Sequence, residues 1–153
     1  MRVLGIDYGL RRTGLAIGET ADSGPSMALP FEMFEGLPDP QLAQAIADLV
    51  RREQVAQIVI GLPLNADGSV SQQSKITERF IVILQQHVPP TVGLTRATEF
   101  LSTHHAEGKL AGHYTRQQKR QRVDALAAAG LLQDWLDQQA GGRRSEPPPL
   151  DAE

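Results

Sequence analysis

Residues 3–18 constrain the fold of this chain more than any other stretch. They hold two β-branched and aliphatic runs, Val3 to Ile6 and Thr13 to Ile17, around a glycine-containing turn that carries Arg11 and Arg12. That is a β-hairpin pattern with a loop longer than the tightest type. Side chains alternate along a strand, so Val3, Gly5 and Asp7 share one face and Leu4, Ile6 and Tyr8 the other. Asp7 ends the first strand. Gly5 and Gly9 leave room beside it for a ligand or a second backbone. Such a carboxylate is either half of a phosphate or metal site or the opening residue of a turn.

The rest of the chain builds a mixed α/β layer on this hairpin. Met27 to Phe34 reads as a third strand, and Pro30 confines it to a sheet edge or a break. After Leu37-Pro-Asp-Pro40, the residues Leu42, Ala45, Ile46, Leu49 and Val50 recur at helical spacing through Glu53. Ala56 to Pro63 is a short, continuous apolar run, the pattern of a buried strand parallel to its neighbour. Asn65 to Ser69 is a loop, and Ser69 or Ser71 caps a helix whose inward side is Ile76, Phe80, Ile83, Leu84 and His87. Thr91 to Thr95 is a last strand, followed by a helix from about Thr98, with Thr98 as cap and Glu99 in the first turn. Residues 107–114 read as a flexible connection, and a final helix runs from Thr115 to about Gln139. The segment 140–153 is a disordered tail, so the folded domain is 1–139. A three-strand meander followed by parallel crossover strands results. In such sheets ligands sit beyond the carboxyl ends of the strands, where Asp7, the Asn65–Ser69 loop and the Arg96–Glu99 segment should gather.

Asp124 is the most informative residue of the last helix. Ala127, Ala128, Leu131 and Trp135 follow it at helical spacing, which puts a carboxylate on the buried face. A buried charge is costly unless a cation or donors compensate it. It either belongs to a site or pairs at a rim with Arg120 or Arg122. Lys109, Arg116, Lys119, Arg120 and Arg122 precede it with no acid between Glu107 and Asp124. This is a phosphate-tracking surface or a solvated helix face. His104 and His105 are adjacent and cannot share a helical face. The whole chain of 153 residues has a formal net charge of -3, which argues against non-specific coating of nucleic acid. With no cysteine, disulfides and thiolate metal sites are excluded, and a cytoplasmic setting fits. No apolar run is long enough to span a bilayer.

Four stretches carry a resemblance: Leu4 to Ala16, Ile60 to Ser69, Leu101 to Thr103, and Val123 to Ala128. Together they resemble the YqgF (RuvX) family, RNase H-like nucleases described as Holliday-junction-resolvase-like and as candidate pre-16S rRNA processing enzymes. The resemblance spans residues 2–138. It implies a five-stranded RNase H-like sheet with helices on both faces and a catalytic, metal-binding triad of Asp7, Glu99 and Asp124. The family has an acid and then Glu-Arg before its Leu-Ser/Thr-Thr segment. Here the residues are Thr98, Glu99 and Phe100, and the missing arginine would weaken phosphate binding or reorganise the third motif, which bears on substrate and rate more than on fold.

The expected chemistry is phosphodiester hydrolysis assisted by two Mg²⁺ or Mn²⁺ ions. Hard cations prefer oxygen ligands, so clustered carboxylates suit them. Arg11, Arg12, Asn65, Ser69, Arg116, Lys119, Arg120 and Arg122 are the expected nucleic-acid contacts. The partner is RNA, or branched or single-stranded DNA, and the protein is a monomer or a weak homodimer. One rival is a non-catalytic nucleic-acid-binding module with a decayed site. Another is an actin-like ATPase or sugar kinase, but those clasp nucleotide between two domains and this chain has length for one.

Overall fold

The computed structural model describes the backbone of residues 1–20, 26–100 and 116–145, and the side chains of 99, 100, 116–123 and 141–145 lie outside that description. Its strands are β1 (Arg2–Asp7), β2 (Arg12–Glu19), β3 (Ala28–Glu35), β4 (Val55–Leu64) and β5 (Gly93–Phe100). Its helices are α1 (Asp39–Arg52), α2 (Gln72–Gln85) and α3 (Arg116–Ser145). The strands form one mixed sheet in the order β3-β2-β1-β4-β5. The hairpin pairs β1 and β2 antiparallel, and β3 continues the meander. β4 runs parallel to both β1 and β5. This is the expected RNase H-like arrangement. No described helix is long and apolar enough to cross a membrane.

Local chemistry explains most of the boundaries. Pro30 lies on β3, an edge strand, where its missing N–H costs no ladder bond. Beside it the register shifts. Ala16 pairs with Pro30 but Leu15 with Glu32, so Phe31 is the extra residue of a bulge. Pro38 and Pro40 start α1, with Asp39 in its first turn and Arg51 and Arg52 in its last, each sign matched to the helix dipole. Ser71 caps α2. Its Oγ accepts from Ser74 N at 3.0 Å, while Ser74 Oγ accepts from Ser71 N at 3.1 Å.

Three expectations need correction. The inward side of α2 is Ser74, Thr77, Phe80, Ile81 and Leu84, with Ile76 and Ile83 only partly buried. Ser74 and Thr77 satisfy their hydroxyls locally, Thr77 Oγ1 donating to Gln73 O at 2.9 Å, so polar residues hold inward positions. Residues 98–100 belong to a strand and open no helix. β5 extends to Phe100 because the parallel ladder with the ten-residue β4 continues through the pair Leu64 and Phe100. α3 runs six residues past the expected end at Gln139, to Ser145. Residues 101–115 and 146–153, with the histidines at 104, 105 and 113, lie outside the described residues.

The sheet divides the core into two layers. On one face Leu4, Ile6, Tyr8, Leu15, Ile58 and Ile60 pack against α1 and α2. Tyr8 stacks on Phe80 with ring centroids 4.4 Å apart, and its hydroxyl donates to Asp39 Oδ1 at 2.7 Å. On the other face Val3, Ala16 and Val59 meet Ala128, Leu132 and Leu136 of α3. This second layer is thin because glycines floor it. A Cβ on Gly5 would come within 2.8 Å of Leu132 Cβ, and one on Gly14 would overlap the backbone carbonyl of Asp124. Gly130, on the outer side of the same helix, has open space.

Alanine at these two glycines should therefore act in opposite directions. Gly14→Ala overpacks backbone against backbone and is expected to destabilise by about 1–3 kcal/mol. Gly130→Ala removes an exposed mid-helix glycine and should stabilise by roughly 0.5–1 kcal/mol. Urea midpoints measure both, and a stabilising Gly14→Ala would contradict the close approach of α3.

Candidate active site

Asp7 stands at the carboxyl end of β1, on the sheet edge where β4 and β5 also end. Its cross-strand partner is Gly14. Directly opposed residues of antiparallel strands share a face. The bare Cα of Gly14 lies against the Asp124 backbone, so that face is the α3 face. Asp7 and Asp124 thus occupy one side of one sheet edge. About one strand spacing, ~4.8 Å, separates β1 from the strand that Asp124 covers. The opposite-face arrangement that would have excluded a shared site is absent.

Asp124 is held by an arginine that the sequence reading placed elsewhere. Arg12 Nε donates to Asp124 Oδ2 at 2.9 Å, with the two side chains 31% and 21% exposed. The side chains of Arg120 and Arg122, expected as rim partners, lie outside the described residues. Burial pushes the Asp124 carboxyl above the ordinary aspartate range, the Arg12 guanidinium opposes this, and Glu35 pushes it further up. Glu35 was not among the anticipated residues. It ends β3 and is the cross-strand partner of Arg12. Only the bulge at Phe31 brings it there. Unbroken pairing from Gly18 and Ala28 would have set Phe34 opposite Arg12, so simple counting along the hairpins could not reveal it.

The third expected acid, Glu99, lies in β5 opposite Pro63, one residue from the strand end. Ala97 packs in the α3 layer, and alternation puts position 99 on the same face of the strand. Its side chain lies outside the described residues. Among the described residues, which do not include the Glu99 side chain, no three acids or histidines form a metal-holding group. The donor set still suits a hard cation: two carboxylates at one rim, one of them half-buried and already drawing a positive charge to itself.

The expected nucleic-acid contacts divide into four groups. Arg11 is exposed, and its carbonyl accepts from Gly36 N at 2.9 Å, which ties the hairpin loop to the end of β3. Arg12 is committed to Asp124. Asn65 and Ser69 satisfy each other: Asn65 Nδ2 donates to Ser69 Oγ at 3.0 Å, and Ser69 Oγ donates to Asp67 Oδ1 at 2.6 Å. That loop closes on itself around Gly68, whose φ is +86°. Arg116, Lys119, Arg120 and Arg122 occupy the first turns of α3, on the helix end nearest Asp124, with side chains outside the described residues. Arg96 turns away from the site and grips Glu78 with two bonds, at 2.7 and 2.9 Å. Trp135, expected on a buried face, is half-buried and lines a groove between α3 and β5 with Ala97, Thr98 and Leu131.

Comparison with known proteins gives this geometry a family. A family model described as "RuvX: Holliday junction resolvase" matches residues 1–138. A relative from Sulfurihydrogenibium sp., named "Putative pre-16S rRNA nuclease", is 32% identical over 136 residues, covering 89% of this chain and 90% of its own length. A protein of the same name from Pseudomonas paraeruginosa is 36% identical, with coverage of 88% and 90%. Among solved structures, Thermus thermophilus RuvC superimposes with a TM-score of 0.53 at 15% identity, over 92% of this chain and 97% of its own. The fowlpox virus Holliday junction resolvase does so with a TM-score of 0.54 at 13% identity, over 91% and 99%. At such identities these two speak for the fold alone. With the model spanning nine-tenths of its length and relatives above 30% identity, the chain belongs to the RuvX family of RNase H-like nucleases.

Proposed function

We propose that this protein is a divalent-metal-dependent nuclease that hydrolyses phosphodiester bonds, with Asp7, Glu99 and Asp124 as its catalytic acids. The observation that carries the reading is the placement of Asp7 and Asp124, 117 positions apart in the chain, on one face at one end of the sheet. The names of the relatives favour pre-16S rRNA as substrate, and the family description adds the Holliday junction; processing of the 5′ end and a cytoplasmic role in ribosome biogenesis belong to this reading. A monomer or weak homodimer suffices for the first substrate. A symmetric junction calls for two copies related by a two-fold axis.

The residues divide the work by position. Asp7, Glu99 and Asp124 would hold Mg²⁺ or Mn²⁺, which when bound would activate water and relieve charge on the leaving oxygen. Without metal, Arg12 holds the Asp124 carboxylate in place and opposes the upward push of burial on its pKa. Arg11 and the basic first turns of α3, Arg116, Lys119, Arg120 and Arg122, flank the acids and hold phosphates on either side of the scissile bond. The self-closed loop from Asn65 to Ser69 offers backbone donors and shape more than free side chains. One reading competes: a binding module in which Arg12 permanently neutralises Asp124 and Phe100 replaces the family's arginine. Metal-dependent cleavage separates the two.

Asp7→Asn is expected to abolish cleavage of pre-16S rRNA and junction substrates in Mg²⁺ or Mn²⁺ while leaving Tm within a few degrees of wild type. Unchanged cleavage by the pure variant would end the assignment. Asp124 gives a stability test with the opposite sign. Its folded pKa lies above the unfolded value, so the folded state binds this proton more tightly. Its contribution to stability is therefore greatest in acid and is lost as pH rises from the ordinary aspartate range through the raised value. Without metal, ionising this half-buried group costs the fold stability. Asp124→Asn should keep or raise the metal-free Tm at pH 7 and remove the gain in Tm caused by Mn²⁺. A drop of several degrees in the metal-free Tm would show that the carboxylate serves the fold.

A further inference from the structure

Glu35 is an exposed acid whose side chain makes no ion pair or hydrogen bond among the described residues. It nevertheless faces the most constrained arginine of the site. Arg12 and Glu35 are direct cross-strand partners, whose Cα atoms stand roughly 4.5–5.5 Å apart in an antiparallel ladder. Both occupy the α3 face, because Arg12 reaches Asp124 from there. The backbone fixes Glu35 firmly. The bulge at Phe31 shifts the register by one residue, and Gly36 N donates to Arg11 O at 2.9 Å. Gly36 then leaves the strand at a φ of +77°, which turns the chain away toward α1 and leaves Glu35 at the rim.

One cation cannot be traded for another at Asp124 unless Arg12 has somewhere to go. In the structure Arg12 Nε occupies Oδ2, one of the two oxygens Asp124 could offer a divalent ion. A guanidinium released into the rim meets, on its cross-strand partner, a carboxylate that is unpaired among the described residues.

We infer that Glu35 is the positioning residue that receives Arg12 when a divalent cation takes Asp124. The exchange breaks one charge-assisted hydrogen bond, from Arg12 to Asp124, and forms one from Arg12 to Glu35, with no change in protonation. Arg12 thereby stays at the rim as a charge for substrate phosphate, and Asp124 presents both oxygens to the ion. Glu35 touches neither ion nor substrate, and it acts through Arg12. This inference rests on the metal-dependent reading of the site above.

A double-mutant cycle read without nucleic acid and without activity tests it. The rise of Tm with Mn²⁺ is followed for wild type, Glu35→Gln, Arg12→Gln and the double variant. Glu35→Gln should raise the half-saturating Mn²⁺ concentration about two- to fivefold, the scale of a partly exposed ion pair. In the Arg12→Gln background the same change should have no effect, since no guanidinium needs a new partner. Glu35→Ala should repeat the Glu35→Gln result, which excludes a peculiarity of one side chain. If the Glu35→Gln weakening persists undiminished in Arg12→Gln, Glu35 acts only as a nearby negative charge and the exchange is refuted. A Glu35→Gln titration identical to wild type refutes it equally. If wild type itself shows no Mn²⁺-dependent rise, the metal reading falls and the inference falls with it. A response in wild type that is unchanged by Glu35→Gln removes this inference alone.

Discussion

The contact of the α3 backbone with Gly14 governs this molecule. A helix normally stands off a sheet by the thickness of two side-chain layers, since stacked layers pack about 10 Å apart. Here Gly5 and Gly14 remove one of those layers, and Ala125, Ala128 and Ala129 thin the other. The helix backbone drops onto the sheet at the residue that carries a carboxylate. Burial and position are then the same event. Asp124 is drawn out of water because its helix is pressed down, and it arrives beside Asp7 because Gly14 is Asp7's partner across the hairpin.

Electrostatics follows from that approach. A carboxylate taken partly out of water needs a positive neighbour. Arg12 supplies it from the adjacent strand, and Glu35 stands on the far side of Arg12. Acid, base and acid are thus held by three separate elements on a rigid sheet edge, and the hairpin beneath them is anchored on the opposite face. Burial and the nearby Asp39 push the Tyr8 hydroxyl well above the ordinary phenol range, so Tyr8 remains a neutral donor pinning the end of β1 to the start of α1. The two faces have different tasks, one fixing the strand ends and the other setting charges upon them.

Much of this was legible in the sequence. Alternation in residues 3–18 assigned Asp7 to the face it shares with Gly5, Pro30 marked β3 as an edge, and the spacing from Asp124 to Trp135 identified the helix face that meets the sheet. What could not be read depended on partners distant in sequence. Thr98 and Glu99 suit a helix start as well as a strand, and only the length of β4 decides for the strand. Ser74 and Thr77 look like outward residues until their hydroxyls are seen to bond within the helix. The partnership of Arg12 with Asp124 spans 112 positions, and the place of Glu35 depends on a one-residue bulge that no period of two reports.

Anomalous diffraction from a crystal soaked in Mn²⁺ would examine the shared acidic rim most directly. The account predicts a peak within coordination distance of carboxylate oxygens from both Asp7 and Asp124, with the Arg12 guanidinium displaced from Asp124. Manganese bound elsewhere, with Arg12 still on Asp124 and no density between the two aspartates, would contradict it.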